Sequence, residues 1–469
     1  MHKRTSQAAV SDTLEYLTLH AVILRQPQNE VLLAAGDGHL ELPLIIIPRW
    51  RRVTQEITEF ARRIWGLQAL CLLQTSLTDG GEGEDNFAIM ESRDPLWAPP
   101  PGFSWVAQDC LARTLSETKT ARFARELLER MAAQDDGPAR GPFARQGWFD
   151  NLLSWIQTQL DDHRLRLTGR FSQLNCDACF CLLRLETSGK PVWFKAVGHP
   201  NRHEFPVTLA LARHFPAYLP TIIASAPCWN GWLTYEAEGA MLDEASPLSA
   251  WERAAESLAE LQMQSVPVSL ELLHASCRDL RMGVLLKDLD DFLESMAGLM
   301  ARQPKTPPAV LSAQELRAMG ARVRELCSRL DEVDLPCTLG HLDFNPGNII
   351  AGPDRCVFLD WAEAYVGHPF LTFEYLREHL SRMHPGNAGW RSQVTSRYLD
   401  CWTGVASRDR LDLALSIAPL TAVFAYAVAG GAWRDPQRLG QPNAEGYFRS
   451  LTRRIYREAQ QVGTEAANA

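Results

Sequence analysis

The chain has 469 residues, of which 46% are hydrophobic and 22% charged, and carries a formal net charge of −9. That length admits two or three domains, each with its own core, and the composition is that of an ordinary soluble globular protein, which excludes global disorder. The acidic balance argues against nucleic acid as the main partner, because phosphate binding needs a clustered basic surface; only short basic runs occur, from Arg49 to Arg52 and at Arg453-Arg454.

Eleven cysteines are scattered along the chain, an odd number, and the opening MHKRTSQAAVSD is too polar for a secretory leader. Reduced thiols and a cytoplasmic location are expected. Cys176, Cys179 and Cys181 form the sole cluster, with no second Cys or His pair at zinc-finger spacing, and read as small apolar residues of a strand.

In chain order, Leu19 to Leu24 and Glu30 to Ala34 are predicted strands around a polar turn at Gln26 to Asn29. Leu42-Pro43 follows, then a helix from Thr54 to Trp65 closed by Gly66. This order resembles the Nudix fold over roughly the first 110 residues. The resemblance implies a helix bearing a glutamate array for metal-assisted hydrolysis. The corresponding positions here run Glu59, Phe60, Ala61, Arg62, Arg63 and Ile64, and Leu44-Ile45-Ile46-Ile47 replaces the expected Gly-Gly turn. A Nudix-like domain without that array would serve binding or packing; a generic small α+β domain is the other reading.

A helix is predicted from Ser116 to Ala133, and Gln134 to Gly147, with two Gly-Pro steps and no hydrophobic periodicity, reads as a linker. After a helix over Trp148 to His163, strands are expected at Leu165 to Phe171 and Ala178 to Glu186, flanking a loop Ser172 to Asp177. A third strand is expected at Val192 to Val197. Lys195, inside VWFKAV, would be costly to bury unpaired, so a partner is expected. A helix starts at Glu204 and ends before Phe215-Pro216, and Gly231 to Glu236 reads as a strand leading into Ala237-Glu238-Gly239.

From Ser249 the pattern turns helical, with an apolar stripe over Trp251 to Met263 and an amphipathic helix over Gln314 to Asp331. Asp288, Asp290 and Asp291 could face a cationic acceptor, but read rather as a solvated helical face. Leu413 to Trp433 carries no charge and is long enough to span a bilayer. Its Pro, Ser, Thr and Gly content and the lack of a flanking basic cluster favour a buried helix, with no membrane partner.

The chemistry concentrates in Gly340 to Ala364, GHLDFNPGNIIAGPDRCVFLDWAEA. Asn345-Pro346-Gly347 is a turn, Ile349-Ile350 and Val357 to Leu359 are strands, and Gly352-Pro353-Asp354 closes a hairpin that is expected to set Asn348 against Asp360. An Asn carbonyl and an Asp carboxylate suit Mg2+, which takes one or two protein oxygens and fills its shell with water and phosphate. Asp343 precedes the hairpin in a bent loop and is the candidate base.

The pattern His341-x-Asp343-x4-Asn348, followed by Asp360-Trp361-x2-Ala364, resembles the aminoglycoside phosphotransferase and choline kinase-like family, distant relatives of protein kinases. The resemblance implies an α+β, bilobal protein-kinase-like fold, here preceded by the small α/β, Nudix-like domain. The expected boundaries are 1–133 for that domain, 134–147 for the linker, 148–238 for the small lobe and 239–469 for the large lobe. It implies that Asp343 is catalytic with His341 bracing its loop, and that Asn348 and Asp360 hold metal. Lys195, paired with Glu204, meets the nucleotide α/β-phosphates; Ser172 and Asn175 sit in the phosphate-covering loop; backbone groups from Tyr235 to Ala237 meet adenine. The chain departs from the family at Leu342, commonly Gly, at Gln262, often His, and in a phosphate loop without glycine. Asp360-Trp361-Ala362 in place of the protein-kinase Asp-Phe-Gly favours a small substrate. The expectation is therefore transfer of the ATP γ-phosphate, with Mg2+, to a hydroxyl of a small molecule. The alternatives are a nucleotide-binding pseudokinase or regulatory scaffold and a Nudix-type pyrophosphohydrolase. Glu363, Glu374 and Glu378 are candidate acceptor contacts.

Overall fold

The computed structural model describes residues 16–36, 39–49, 51–78, 84–115, 118–132, 142–176, 180–441 and 443–462. The chain forms two compact units, one comprising residues 1–202 and 222–236, the other 203–221 and 237–469.

The first unit contains two sheets. A continuous apolar run, Ala21 to Leu24, all buried, suits Tyr16–Arg25 to the middle of a seven-stranded sheet; it pairs parallel with Glu84–Ser92 and antiparallel with Glu30–Ala35 and Leu44–Pro48. The helix Val53–Trp65 ends at Gly66, whose φ of 68° gives the left-handed turn that glycine adopts without a Cβ penalty. Its two carboxylates are engaged locally: Glu56 lies 3.5 Å from Arg51, and Glu59 accepts from Gln55 Nε2 at 3.0 Å. The predicted helix from Ser116 is observed as Lys119–Ala132; residues 116, 117 and 133 lie outside the described residues.

The second sheet is five-stranded and contains Leu167–Cys176, Phe180–Thr187, Val192–Val197, Ile222–Ala226 and Gly231–Tyr235. Alternation sends Val192, Phe194 and Ala196 into the core, where they meet Phe149, Leu152 and Ile156 of the helix Trp148–Asp161. The same core takes in Leu70 and Leu72 of the first sheet, so the two sheets are welded rather than tethered. Gln173 strengthens the weld, accepting from Cys71 N at 2.8 Å and donating to Cys71 O at 2.9 Å, both buried. The expected linker is described from residue 142 onward, and there it is packed: Phe143 is fully buried, and Gly147 N donates to Glu91 Oε2 at 3.2 Å.

The loop expected over Ser172 to Asp177 is not a loop through Cys176. Strand pairing continues, Ser172 opposite Arg184, Asn175 opposite Leu182 and Cys176 opposite Cys181, with a bulge between Gln173 and Asn175. With no glycine or proline to interrupt it, FSQLNC extends the strand. Asp177 and Cys179 lie outside the described residues.

The second unit is mainly helical. Leu248–Ser265, Ala313–Glu332, Phe370–Met383, Ala388–Trp402 and Arg408–Ala429 enclose one core in which Trp251 and Trp402 are fully buried. Ser312 and Glu315 form a capping box that fixes the start of Ala313–Glu332. Arg408–Ala429 has the length and mean hydropathy, 1.8, to cross a membrane, yet 67% of its most apolar window is buried in the protein. Two three-stranded sheets complete the unit. Ala240–Met241 joins the hairpin Ile349–Ala351 and Cys356–Phe358, and Ala364–Gly367 lies between Arg278–Leu280 and Thr338–His341. Gly239 permits the first contact: its φ is 125°, and a Cβ there would stand 2.4 Å from Ala351 O.

Candidate active site

The loop after Thr338–His341 is built around an imidazole. His341 is 1% exposed, and Asp343 N donates to its Nδ1 at 3.1 Å while its Nε2 stands 3.1 Å from Leu359 O. A ring nitrogen that accepts from a backbone N–H must be unprotonated, so Nε2 carries the hydrogen and donates to Leu359. Burial pushes the imidazole below its ordinary value against the pull of the Leu359 carbonyl, Asp360 and Asp343, which keeps the ring neutral. His341 thus ties the loop to the end of the hairpin's second strand.

The main chain repeats that tie. Leu342 N donates to Glu363 O at 3.0 Å, and His341 N donates to Thr372 Oγ1 at 2.8 Å, itself 2.8 Å from Tyr365 OH. Gly340 has to be glycine for Tyr365 to fit, since a Cβ would lie 2.0 Å from Tyr365 Cζ.

Asp343 is exposed at the tip of this support, with both carboxylate oxygens held. Asn345 Nδ2 donates to Oδ1 at 2.9 Å; Asn348 Nδ2 donates to Oδ2 at 3.3 Å and to Asp343 O at 2.9 Å. The sequence marks Asn345 only as a turn former. The Asn-Pro step that marks the turn was the available signal for this contact, since Asn side chains bond locally in turns.

The hairpin differs from expectation by one residue. Ile349 pairs with Phe358 and Ala351 with Cys356 across the four-residue loop Gly352 to Arg355, so Leu359, whose N donates to Asn348 O at 2.9 Å, stands opposite Asn348. Asp360 follows the last rung with φ 62°, a left-handed conformation that Asp tolerates better than most side chains, and is exposed. A short 3-10 turn, Trp361–Glu363, comes next, and His203 Nε2 lies 2.7 Å from Ala362 O.

The donor chemistry fits magnesium. Asn348 spends its amide N–H groups on Asp343, leaving Oδ1 as the amide's ligand atom, and Asp360 supplies an exposed carboxylate. Two such oxygens are what a magnesium site asks of a protein when phosphates and water complete it.

The remaining sequence-derived residues fall as follows. In the first unit Lys195 is half-buried on Val192–Val197, between Leu182 and Trp232 in register, with Nζ 5.1 Å from the Phe180 ring centroid and 5.7 Å from that of Trp232. Ser172 and Asn175 lie in the strand already described. Tyr235 ends its strand with its ring edge-on to His163 at 5.8 Å. In the second unit Glu204 opens the helix Glu204–His214 and is 1% exposed, and Ala237 begins the stretch leading to Gly239.

The candidate acceptor carboxylates are each matched by arginine: Glu363 with Arg278 at 2.6 Å, Glu374 with Arg377 at 2.6 Å, and Glu378 with Arg454. Burial raises the Glu363 carboxyl although Arg278 opposes it. Asp288 and Asp291 pair with Arg434, and Asp290 pairs with Arg324. Gln262, fully buried where the family often has His, donates to Pro369 O at 2.8 Å and accepts from Tyr398 OH at 2.6 Å.

No curated protein matches the chain. Among solved structures, a choline/ethanolamine kinase family protein from Mesorhizobium loti is 17% identical, with TM-score 0.43, covering 64% of this chain and 91% of its own. A choline kinase from Cryptosporidium parvum is 10% identical, with TM-score 0.46, covering 68% and 96%. A macrolide 2'-phosphotransferase from Brachybacterium faecium is 16% identical, with TM-score 0.39, covering 67% and 98%. The model of the phosphotransferase enzyme family matches residues 201–406, a span that holds Glu204, the loop of His341 and Asp343, and the hairpin from Asn348 to Asp360.

Proposed function

We propose that the protein transfers the γ-phosphate of ATP to a hydroxyl of a small molecule, in the cytoplasm. The observation that carries this reading is the exposed Asp343 carboxylate, oriented by two asparagine amides on a loop pinned by a neutral, buried His341. Phosphoryl transfer through a loose transition state asks the protein chiefly for position and charge neutralisation.

Asp343 orients the acceptor hydroxyl and takes its proton as the new P–O bond forms; the γ-phosphoryl bond to ADP breaks, and ADP leaves with that electron pair. Asn348 Oδ1 and Asp360 are the residues that would hold Mg2+, which neutralises phosphate charge when bound. Lys195 is assigned to the nucleotide phosphates with Glu204 as its counter-charge, and the backbone from Tyr235 to Ala237 to the base. Ser172 and Asn175, in strand rather than loop, keep only side-chain hydrogen bonding as a route to phosphate. The structural relatives named above are, by name, kinases of choline or ethanolamine and of macrolides, and their likeness in fold selects none of these as acceptor.

The test is Mg2+-dependent ADP release across a panel of hydroxylated metabolites. Asp343→Asn is expected to lower transfer by about 10²-fold or more while keeping nucleotide affinity. Asp360→Ala is expected to lose metal-dependent nucleotide binding, and chelation of Mg2+ to abolish transfer. Equal loss of binding and transfer in both variants would refute these separate roles. Nucleotide binding with no turnover on any acceptor would favour the pseudokinase reading, and hydrolysis of nucleoside diphosphates that survives Asp343→Asn would revive the pyrophosphohydrolase.

A further inference from the structure

A cavity of about 420 Å3, open to solvent, lies where the helices Phe370–Met383 and Ala388–Trp402 meet the start of Arg408–Ala429. None of the residues assigned above to catalysis or nucleotide binding lines it. Three arginines do, Arg377, Arg391 and Arg408, one from each helix. Between them stand Ser392, Thr395 and Ser396, which with Ala388 and Arg391 follow the i, i+3, i+4 spacing of a single face of Ala388–Trp402.

Two of these residues each keep a buried polar atom without a hydrogen-bond partner among the described residues, Arg377 Nε and Thr395 Oγ1. Leaving such groups unsatisfied costs about 1–3 kcal/mol each, so native structures seldom retain them without a reason. Arg377 is 12% exposed in its side chain, and its Nη1 donates to the buried Glu374 carboxylate. Arg391 approaches the other Glu374 oxygen only at 3.6 Å and is 44% exposed. Burial raises the Glu374 carboxyl, with Arg377 and Arg391 opposing.

Arg408 pairs with Asp412 at 3.1 Å and lies 3.6 Å from Asp400. Counting Glu374, three acids balance three arginines, so the cavity is no general cationic surface. Its lining offers guanidinium and hydroxyl donors together, which suits one compact multivalent anion.

We infer that this cavity binds a phosphate group, free or as the monoester of a small metabolite, through Arg377, Arg391, Arg408 and the hydroxyls of Ser392, Thr395 and Ser396. Phosphate matches guanidinium forks and hydroxyl donors together better than a planar carboxylate does, and the cavity leaves room for an attached organic group. Because Phe370–Met383 also carries Thr372, which holds His341 N, an occupant would bear on the helix that braces the catalytic loop.

The test uses calorimetric titration of the full chain, without nucleotide, with inorganic phosphate and separately with glycerol 3-phosphate. Saturable binding is expected, weakened about 10-fold or more by Arg391→Ala and measurably by Ser396→Ala, and unchanged by Lys195→Ala. Arg391 is half-exposed, so its variant is expected to fold; Ser396→Ala serves as the second, milder probe. Tighter binding of glycerol 3-phosphate identifies a monoester site, and equal or tighter binding of inorganic phosphate a free-phosphate site. No saturable binding of either probe, loss of binding in Lys195→Ala, or unaltered binding in both cavity variants would overturn the inference.

Discussion

His368 offers the sharpest test of the reasoning about buried groups in the second unit. It precedes the helix Phe370–Met383, accepts from Phe370 N on Nδ1 at 3.2 Å, and has a buried Nε2 with no partner among the described residues. Burial pushes this imidazole from 6.5 down to about 3. Above pH 6.5 the ring is neutral in both folded and unfolded chains and contributes no pH dependence. As the pH falls through 6.5 the unfolded chain takes up a proton that the folded chain refuses, so stability is lost at up to about 1.36 kcal/mol per pH unit until the folded value is reached. From pH 7.5 to pH 5 that amounts to about 2 kcal/mol, and the figure scarcely depends on where below pH 4 the folded ring titrates. His368→Asn keeps an acceptor for Phe370 N and removes the titration. In urea unfolding at the two pH values, wild type should lose about 2 kcal/mol more than the variant between them. Equal losses would refute the claim that His368 is held neutral by burial.

His341→Ala removes two hydrogen bonds and a buried ring, which together should cost about 3–5 kcal/mol, and should speed amide exchange at Asp343, read by hydrogen-exchange mass spectrometry; unchanged exchange there would contradict the bracing role. Gly340→Ala drives a Cβ into Tyr365 and should cost about 3 kcal/mol or more, with part recovered in combination with Tyr365→Leu; strict additivity in denaturant unfolding would show that the clash is relieved elsewhere. Gln173→Ala leaves Cys71 N and O unsatisfied between the two sheets of the first unit and should lower the stability of that unit by about 2–5 kcal/mol in denaturant unfolding, a loss under 1 kcal/mol arguing that water replaces the amide.

The elements that could be read from sequence are those whose signals are local. Val192–Val197 is observed with the expected bounds because period-2 alternation and the Ser-Gly turn before it leave one register. The helix from Glu204 ends where Phe215-Pro216 requires. The strand Leu167–Cys176 outran its expected end because nothing in SQLNC breaks a strand, and the assumption of a phosphate loop came from family likeness rather than from the residues. The three-residue strand Arg278–Leu280 gave no periodic signal, and its parallel pairing with Ala364–Gly367 exists only once the core has formed. Hence the Arg278–Glu363 ion pair went unseen. The arginine cavity was equally illegible, since its members come from three helices and become neighbours only through packing.

The one-residue difference in the hairpin changes how the catalytic loop should be understood. Had Asn348 faced Asp360 across a ladder, the strand pair alone would have set the two metal-ligand candidates. Instead Leu359 occupies that rung, and Asp360 stands beyond it in a left-handed conformation. The link between the two segments then runs through His341, whose Nδ1 receives Asp343 N and whose Nε2–H reaches Leu359 O, and through Leu342 N on Glu363 O. A protonated His341 would lose the acceptor at Nδ1 and with it the bond to the Asp343 backbone. The neutrality imposed by burial is therefore what allows one side chain to hold the loop of Asp343 and the approach to Asp360 together.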